Sequence, residues 1–152
     1  MIRLSIILLS LIPLGLIAQT NFPWPMYPQN QQHRISATFD ECREDRDHFH
    51  NGTDIPLAPG EEVLYIVTGV VGGRDVDWIR VGHFAYVLVL PNPAILAGQT
   101  VSAGTVIGWT DSYAHVHLNY GPSGDYGNPL LPGGLYPFVD TYHPRSPIID
   151  FV

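Results

Sequence analysis

Hydrophobic positions in this chain fall into short runs broken by glycine, proline and asparagine rather than into a helical stripe. Val63–Val71 (VLYIVTGVV) is rich in β-branched residues and ends at Gly72-Gly73, the signature of a buried strand followed by a turn. Asp77–Val81 and Phe84–Leu90 form a second apolar stretch, closed by Pro91-Asn92-Pro93. Thr105–Thr110 (TVIGWT) and Ala114–Tyr120 (AHVHLNY) are further strands. No window carries apolar residues at 3.6-residue spacing, and no internal repeat is present. The pattern predicts a mainly β domain, compact and antiparallel, with long loops and little helix.

The amino-terminal run is of another kind. Arg3 is followed by a charge-free, Leu- and Ile-rich stretch from Leu4 to Ala18, then by Gln19-Thr20. A basic start, an apolar middle and a small residue before polar ones read as a secretory signal over residues 1–18. The run carries Pro13 and Gly15 and is shorter than the roughly 20 residues that span a bilayer. The expectation is a secreted or periplasmic protein with no membrane span after cleavage; an uncleaved anchor is the alternative. Residues 19–33 form a Pro- and aromatic-rich leader in which Pro23, Pro25 and Pro28 forbid helix. It is expected to lie extended along the domain surface, with Trp24 available for contacts. The domain proper is placed at 34–140. The tail at 141–152 ends in a strand-like PIIDFV, either a terminal strand or the entry to a further domain in a longer protein.

Composition narrows the class. The 152 residues hold one domain beyond the signal. Charged residues are 14%, and Gly (15) with Pro (14) are abundant, which fits turns and short strands better than a helical bundle. The net charge is −7, and all seven basic residues are arginine with no basic stripe, which argues against a nucleic-acid partner and against electrostatic docking on anionic lipid. Cys42 is the one cysteine, so no intramolecular disulfide forms. Oligomeric state is not legible.

The chemistry rests on histidine. His50-Asn51-Gly52-Thr53-Asp54 is an H-x-G-x-D spacing in which a glycine turn aims an imidazole and a carboxylate at one point, both good Zn²⁺ donors. His115-Val116-His117 places two imidazoles on one face of a strand. Each has a plain alternative: chance spacing for the first, a solvated pair for the second. Asn51-Gly52-Thr53 also matches a glycosylation sequon. Together, His50, Asp54 and one of His115 and His117 supply three ligands with a fourth position open, the composition of a catalytic zinc site. Cys42 is a weaker ligand candidate and reads better as a small buried hydrophobe.

These motifs, with the stretch from Ile55 to Val71, Leu96–Gly108 (LAGQTVSAGTVIG) and Asn128-Pro129, resemble the lysostaphin-type (LytM-like) zinc endopeptidases over roughly residues 34–137. The resemblance implies a duplicated-hybrid-motif β fold and a secreted metallopeptidase that cuts peptide cross-links of peptidoglycan. It implies His50, Asp54 and His117 as zinc ligands and His115 as a catalytic histidine. Such enzymes carry a second catalytic histidine in a "Y-A-H-L" strand; the matching Tyr86-Val87-Leu88-Val89 has Leu88 there. His83 lies at an odd offset from that place, and His48 shares strand parity with His50. A general acid–base group contributes roughly 10²–10⁴-fold, and leucine supplies none of it. Two expectations follow: a zinc peptidase acting on peptidoglycan or short peptides, or a zinc-retaining pseudoenzyme that binds peptides or a partner and regulates cell-wall hydrolysis. A third reading, an exported β domain with incidental histidines, keeps neither.

Overall fold

The computed structural model describes residues 21–43, 48–131 and 134–135. The stretches read from the sequence as a signal at 1–18 and a tail at 141–152 lie outside the described residues. Nine strands follow in order: β1 (Thr53–Pro56), β2 (Glu62–Leu64), β3 (Gly69–Arg74), β4 (Trp78–Val81), β5 (Phe84–Val87), β6 (Val89–Pro91), β7 (Thr100–Val101), β8 (Val106–Thr110) and β9 (His115–Tyr120). The described residues contain no helix. A six-stranded sheet has the order β1-β9-β5-β4-β3-β7, and a three-stranded sheet has the order β2-β8-β6; every pairing between strands is antiparallel. The fold is thus the mainly β, antiparallel kind that the hydrophobic pattern predicts.

Two runs that read as single strands are each divided. Val63–Val71 gives β2 to the small sheet and β3 to the large one, with Tyr65 between them exchanging backbone hydrogen bonds with Thr105 and Gly104. Phe84–Leu90 gives β5 to the large sheet and β6 to the small one, and the break falls at Leu88, which has φ 61°. Both crossings stay inside one core, so apolar residues continue through them and hydropathy carries no trace of the change of sheet. That core joins Val63, Val89 and Ile107 of the small sheet to Ile55, Val71, Ile79, Val81, Phe84, Tyr86, Val116 and Leu118 of the large one.

The aromatic leader lies on the surface only in its second half: Tyr27, Pro28 and residues 30–32 are exposed, whereas the part before them turns inward. Trp24 and Met26 are buried members of the same core. Phe22 packs edge-on against Phe84, and its N–H bonds to the carbonyl of Gly134. The backbone carbonyl of Pro25 accepts from Leu64, and the Gln29 amide donates to the carbonyls of Trp24 and Tyr65. The segment is free of helix, as the prolines require, but it is not extended: the chain turns back after Trp24, whose N–H bonds to the carbonyl of Gln29, and the turn places Trp24 and Met26 inward.

Candidate metal centre

The site is built on β1 and β9. Asp54 pairs directly with His117, and Pro56 with His115. The N–H of Asp54 donates to Ala37 and its carbonyl accepts from Ser36, so neither backbone group bonds to His117. Such non-hydrogen-bonded antiparallel pairs bring their α-carbons to about 4.5 Å and their side chains close together. The same face carries His115 and Asn119 of β9 and, from β5, Val87, which pairs with His117. The opposite face presents Ile55, Val116, Leu118 and Tyr86 to the core. Strand alternation thus separates a polar site from an apolar interior.

His50 arrives from a hairpin. Its N–H donates to Glu41, its carbonyl accepts from Asp40, and Cys42 bridges Phe49. The buried ring gives Nδ1 to the carbonyl of Thr38 at 2.8 Å, which leaves Nε2 a lone pair pointing at the site. His50 Nε2 lies 2.9 Å from His117 Nδ1 and 3.1 Å from Asp54 Oδ1; His117 Nδ1 lies 2.8 Å from that same oxygen. Residues 67 positions apart thus meet with ring centroids 4.7 Å apart. Arg43 Nη2 sits 3.2 Å from the other carboxylate oxygen, Oδ2. His115 gives Nδ1 to the carbonyl of Tyr113 and turns Nε2 to within 3.9 Å of Asp54 Oδ1.

Burial opposes ionisation of Asp54, but hydrogen bonds to His117 and His50, together with their charge, outweigh it and hold the carboxyl well below the usual carboxylate range. His50 Nε2, Asp54 Oδ1 and His117 Nδ1 are three potential lone-pair donors converging on one point, an arrangement that suits a cation. Two imidazole nitrogens and a carboxylate oxygen are a zinc-type donor set, and tetrahedral zinc bonds of about 2.0–2.1 Å correspond to ligand–ligand edges of about 3.3–3.4 Å. The observed edges of 2.8–3.1 Å need to open by only a few tenths of an ångström. The residues present fit the ion.

Gly52 of the H-x-G-x-D spacing has a different purpose from the turn the sequence suggested. A β-carbon there would fall 2.6 Å from His117 Nε2 and 2.8 Å from the carbonyl oxygen of Leu118, so the absent side chain is the space in which the imidazole lies. His83 stands at the β4–β5 turn, where its carbonyl accepts from Gly121, beyond the end of β9 opposite His115. His48 is exposed and nearer the hairpin tip than His50. Neither belongs to the metal-type cluster, which comprises His50, Asp54 and His117 among the described residues. Cys42 is exposed rather than buried. Leu88 is outside β5 in a left-handed conformation, and Val87 is the residue that faces the site from that strand.

Two residues escaped the sequence reading. Asn51 Oδ1 and Asn119 Nδ2 each lie 3.0 Å from His117 Nε2, on the side of the ring away from Asp54. The period-two continuation H-x-H-x-N was the signal for Asn119.

No protein-family model and no curated protein matches the chain. Solved structures do. The chain is similar to Helicobacter pylori Csd3 in its orthorhombic crystal form, with a TM-score of 0.58 and 21% identity over 72% of this chain and 33% of Csd3. It is similar to a zinc containing peptidase from Vibrio cholerae, with a TM-score of 0.53 and 18% identity over 69% of this chain and 37% of that one. CbpA from L. salivarius REN gives a TM-score of 0.50 at 24% identity, over 65% and 76% of the two chains. The chain spans about a third of the length of Csd3 and of the Vibrio peptidase. These likenesses show that the chain shares the mainly β fold of those structures, the architecture that the motif resemblance implies.

Proposed function

We propose that the protein is an exported zinc metallopeptidase that hydrolyses peptide bonds in peptidoglycan cross-links or similar short peptides. The observation that carries the reading is the convergence of His50 Nε2, Asp54 Oδ1 and His117 Nδ1 within 3.1 Å of one another, with His115 Nε2 directed at the same carboxylate. Zinc held by His50, Asp54 and His117 would supply Lewis acidity to a scissile carbonyl and to the attacking water. The rings of His50 and His117 are positioned by the carbonyl of Thr38 and by the asparagine pair. His115, its Nδ1 committed to Tyr113, keeps Nε2 for a proton: it accepts one from the attacking water and returns it to the departing amine. Arg43 ties up Asp54 Oδ2 and leaves one oxygen for the ion.

The test uses zinc-loaded protein and purified peptidoglycan, with new amino termini as the readout. Release that disappears in His115→Ala supports the reading; no release above that variant overturns it. A second reading, a zinc-retaining protein that binds peptides or a partner without cleaving them, is favoured by the apolar pair Val87-Leu88 where β5 approaches the site. Stoichiometric zinc and peptidoglycan binding without amine release would select it.

A further inference from the structure

We propose that Asn51 and Asn119 form a positioning pair for His117, an inference that rests on His117 being a metal ligand. A ligand histidine binds with one ring nitrogen, and the partner of the other nitrogen decides its tautomer and aim. Here that partner is a linked unit. Asn119 Nδ2 is 2.7 Å from the backbone carbonyl of Asn51, an atom that only accepts, so this atom of Asn119 is the amide nitrogen. The same nitrogen lies 3.2 Å from the Asn51 side-chain amide, which therefore turns its oxygen inward. That oxygen accepts from His117 Nε2–H at 3.0 Å, leaving Nδ1 a lone pair toward Asp54 and His50.

Asn119 adds a second property. Its amide nitrogen is also 3.0 Å from Nε2, so an acceptor and a donor stand side by side at one ring nitrogen. When Nδ1 carries the proton and donates to Asp54, Nε2 accepts from Asn119. When Nδ1 gives its lone pair to a cation, Nε2–H donates to Asn51. The ring keeps one place in both tautomers, and no side chain has to turn over. Asn119 and Gly52 are buried beside the ring, and Asn51, which is exposed, is tied to them through its two contacts with the Asn119 amide.

The experiment measures zinc affinity by chelator competition in the full chain, with the ring tautomer of His117 read from two-bond ¹H–¹⁵N correlations in zinc-loaded and chelated protein. Asn51→Leu is expected to weaken zinc about 10–100-fold. Asn51→Asp, which retains the acceptor, is expected to restore most of that loss and to keep the Nε2–H tautomer in the loaded state. Asn119→Leu is expected to weaken zinc as well and to blur the single tautomer of the chelated state. Unfolding temperatures of the chelated variants separate a general folding defect from a local one. Wild-type affinity in both Asn51→Leu and Asn119→Leu, or an Asn51→Asp variant no better than Asn51→Leu, overturns the proposal. If the wild-type chain takes up no zinc at all, it is the peptidase reading that fails.

Discussion

The α-carbon of Gly52 lies against the imidazole of His117: one added methyl group would stand 2.6 Å from Nε2 and 2.8 Å from Cε1. The contact unites the two histidine motifs, because the spacer of one is the seat of the other. Gly52→Ala is expected to displace the ring and lower zinc affinity at least about ten-fold, with the β circular dichroism signal intact. Unchanged affinity in a chelator titration would show that the ring has room to move.

Asp54 sets the acid limb of stability. Its carboxyl is held below the usual range in the fold, so it binds fewer protons there than in the unfolded chain. The stabilisation is fully present above the unfolded value of about 3.9 and is lost as pH falls through and below it. Thermal unfolding of chelated protein between pH 6 and 2 (an experimental range chosen about that value) checks this. Wild type should lose stability toward acid more steeply than Asp54→Asn, and parallel curves would contradict the assignment.

β5 offers two places for the histidine that the family resemblance demands. Val87 pairs with His117 and shares its face, whereas Leu88 sits at φ 61° and breaks the strand. Val87→His is therefore expected to raise peptide hydrolysis by about ten-fold or more, within the usual range of an acid–base group. Leu88→His is expected to gain less. A larger gain at position 88 would mean that the break turns its side chain into the site.

Trp24 tests the place of the leader. Burial in the shared core predicts that Trp24→Ala destabilises the protein by about 3–5 kcal/mol, against less than about 0.5 kcal/mol for a surface residue. Trp24→Phe should be milder, because the buried indole N–H has no hydrogen-bond partner whose loss would matter. Urea unfolding of the two variants separates the outcomes.

Much of the site was legible because strand geometry is periodic. His115 and His117 share a face wherever their strand lies, and the H-x-G-x-D spacing fixes which carboxylate accompanies His50. The pairing of Asp54 with His117 was not legible, since register between strands 63 positions apart follows from the whole sheet. Nor was the inward packing at the start of the leader: its prolines exclude helix but specify neither the turn after Trp24 nor the side on which Trp24 and Met26 lie. The divisions at Tyr65 and Leu88 were hidden because both sheets face one core. Asn51 was read only as part of a glycosylation sequon, and nothing in its immediate neighbours tied it to a histidine 66 positions away.

β1 is the outermost strand of the large sheet, and its outward rim is already taken. The two backbone groups of Asp54 on that side are bonded to Ala37 and Ser36, and Pro56, next in the same direction, has no N–H to offer. Exposed rims of this kind recruit strands from neighbouring molecules. Closing the rim beside Asp54 with the chain's own arm leaves a neighbouring molecule's strand no backbone N–H to accept from at Asp54 or Pro56.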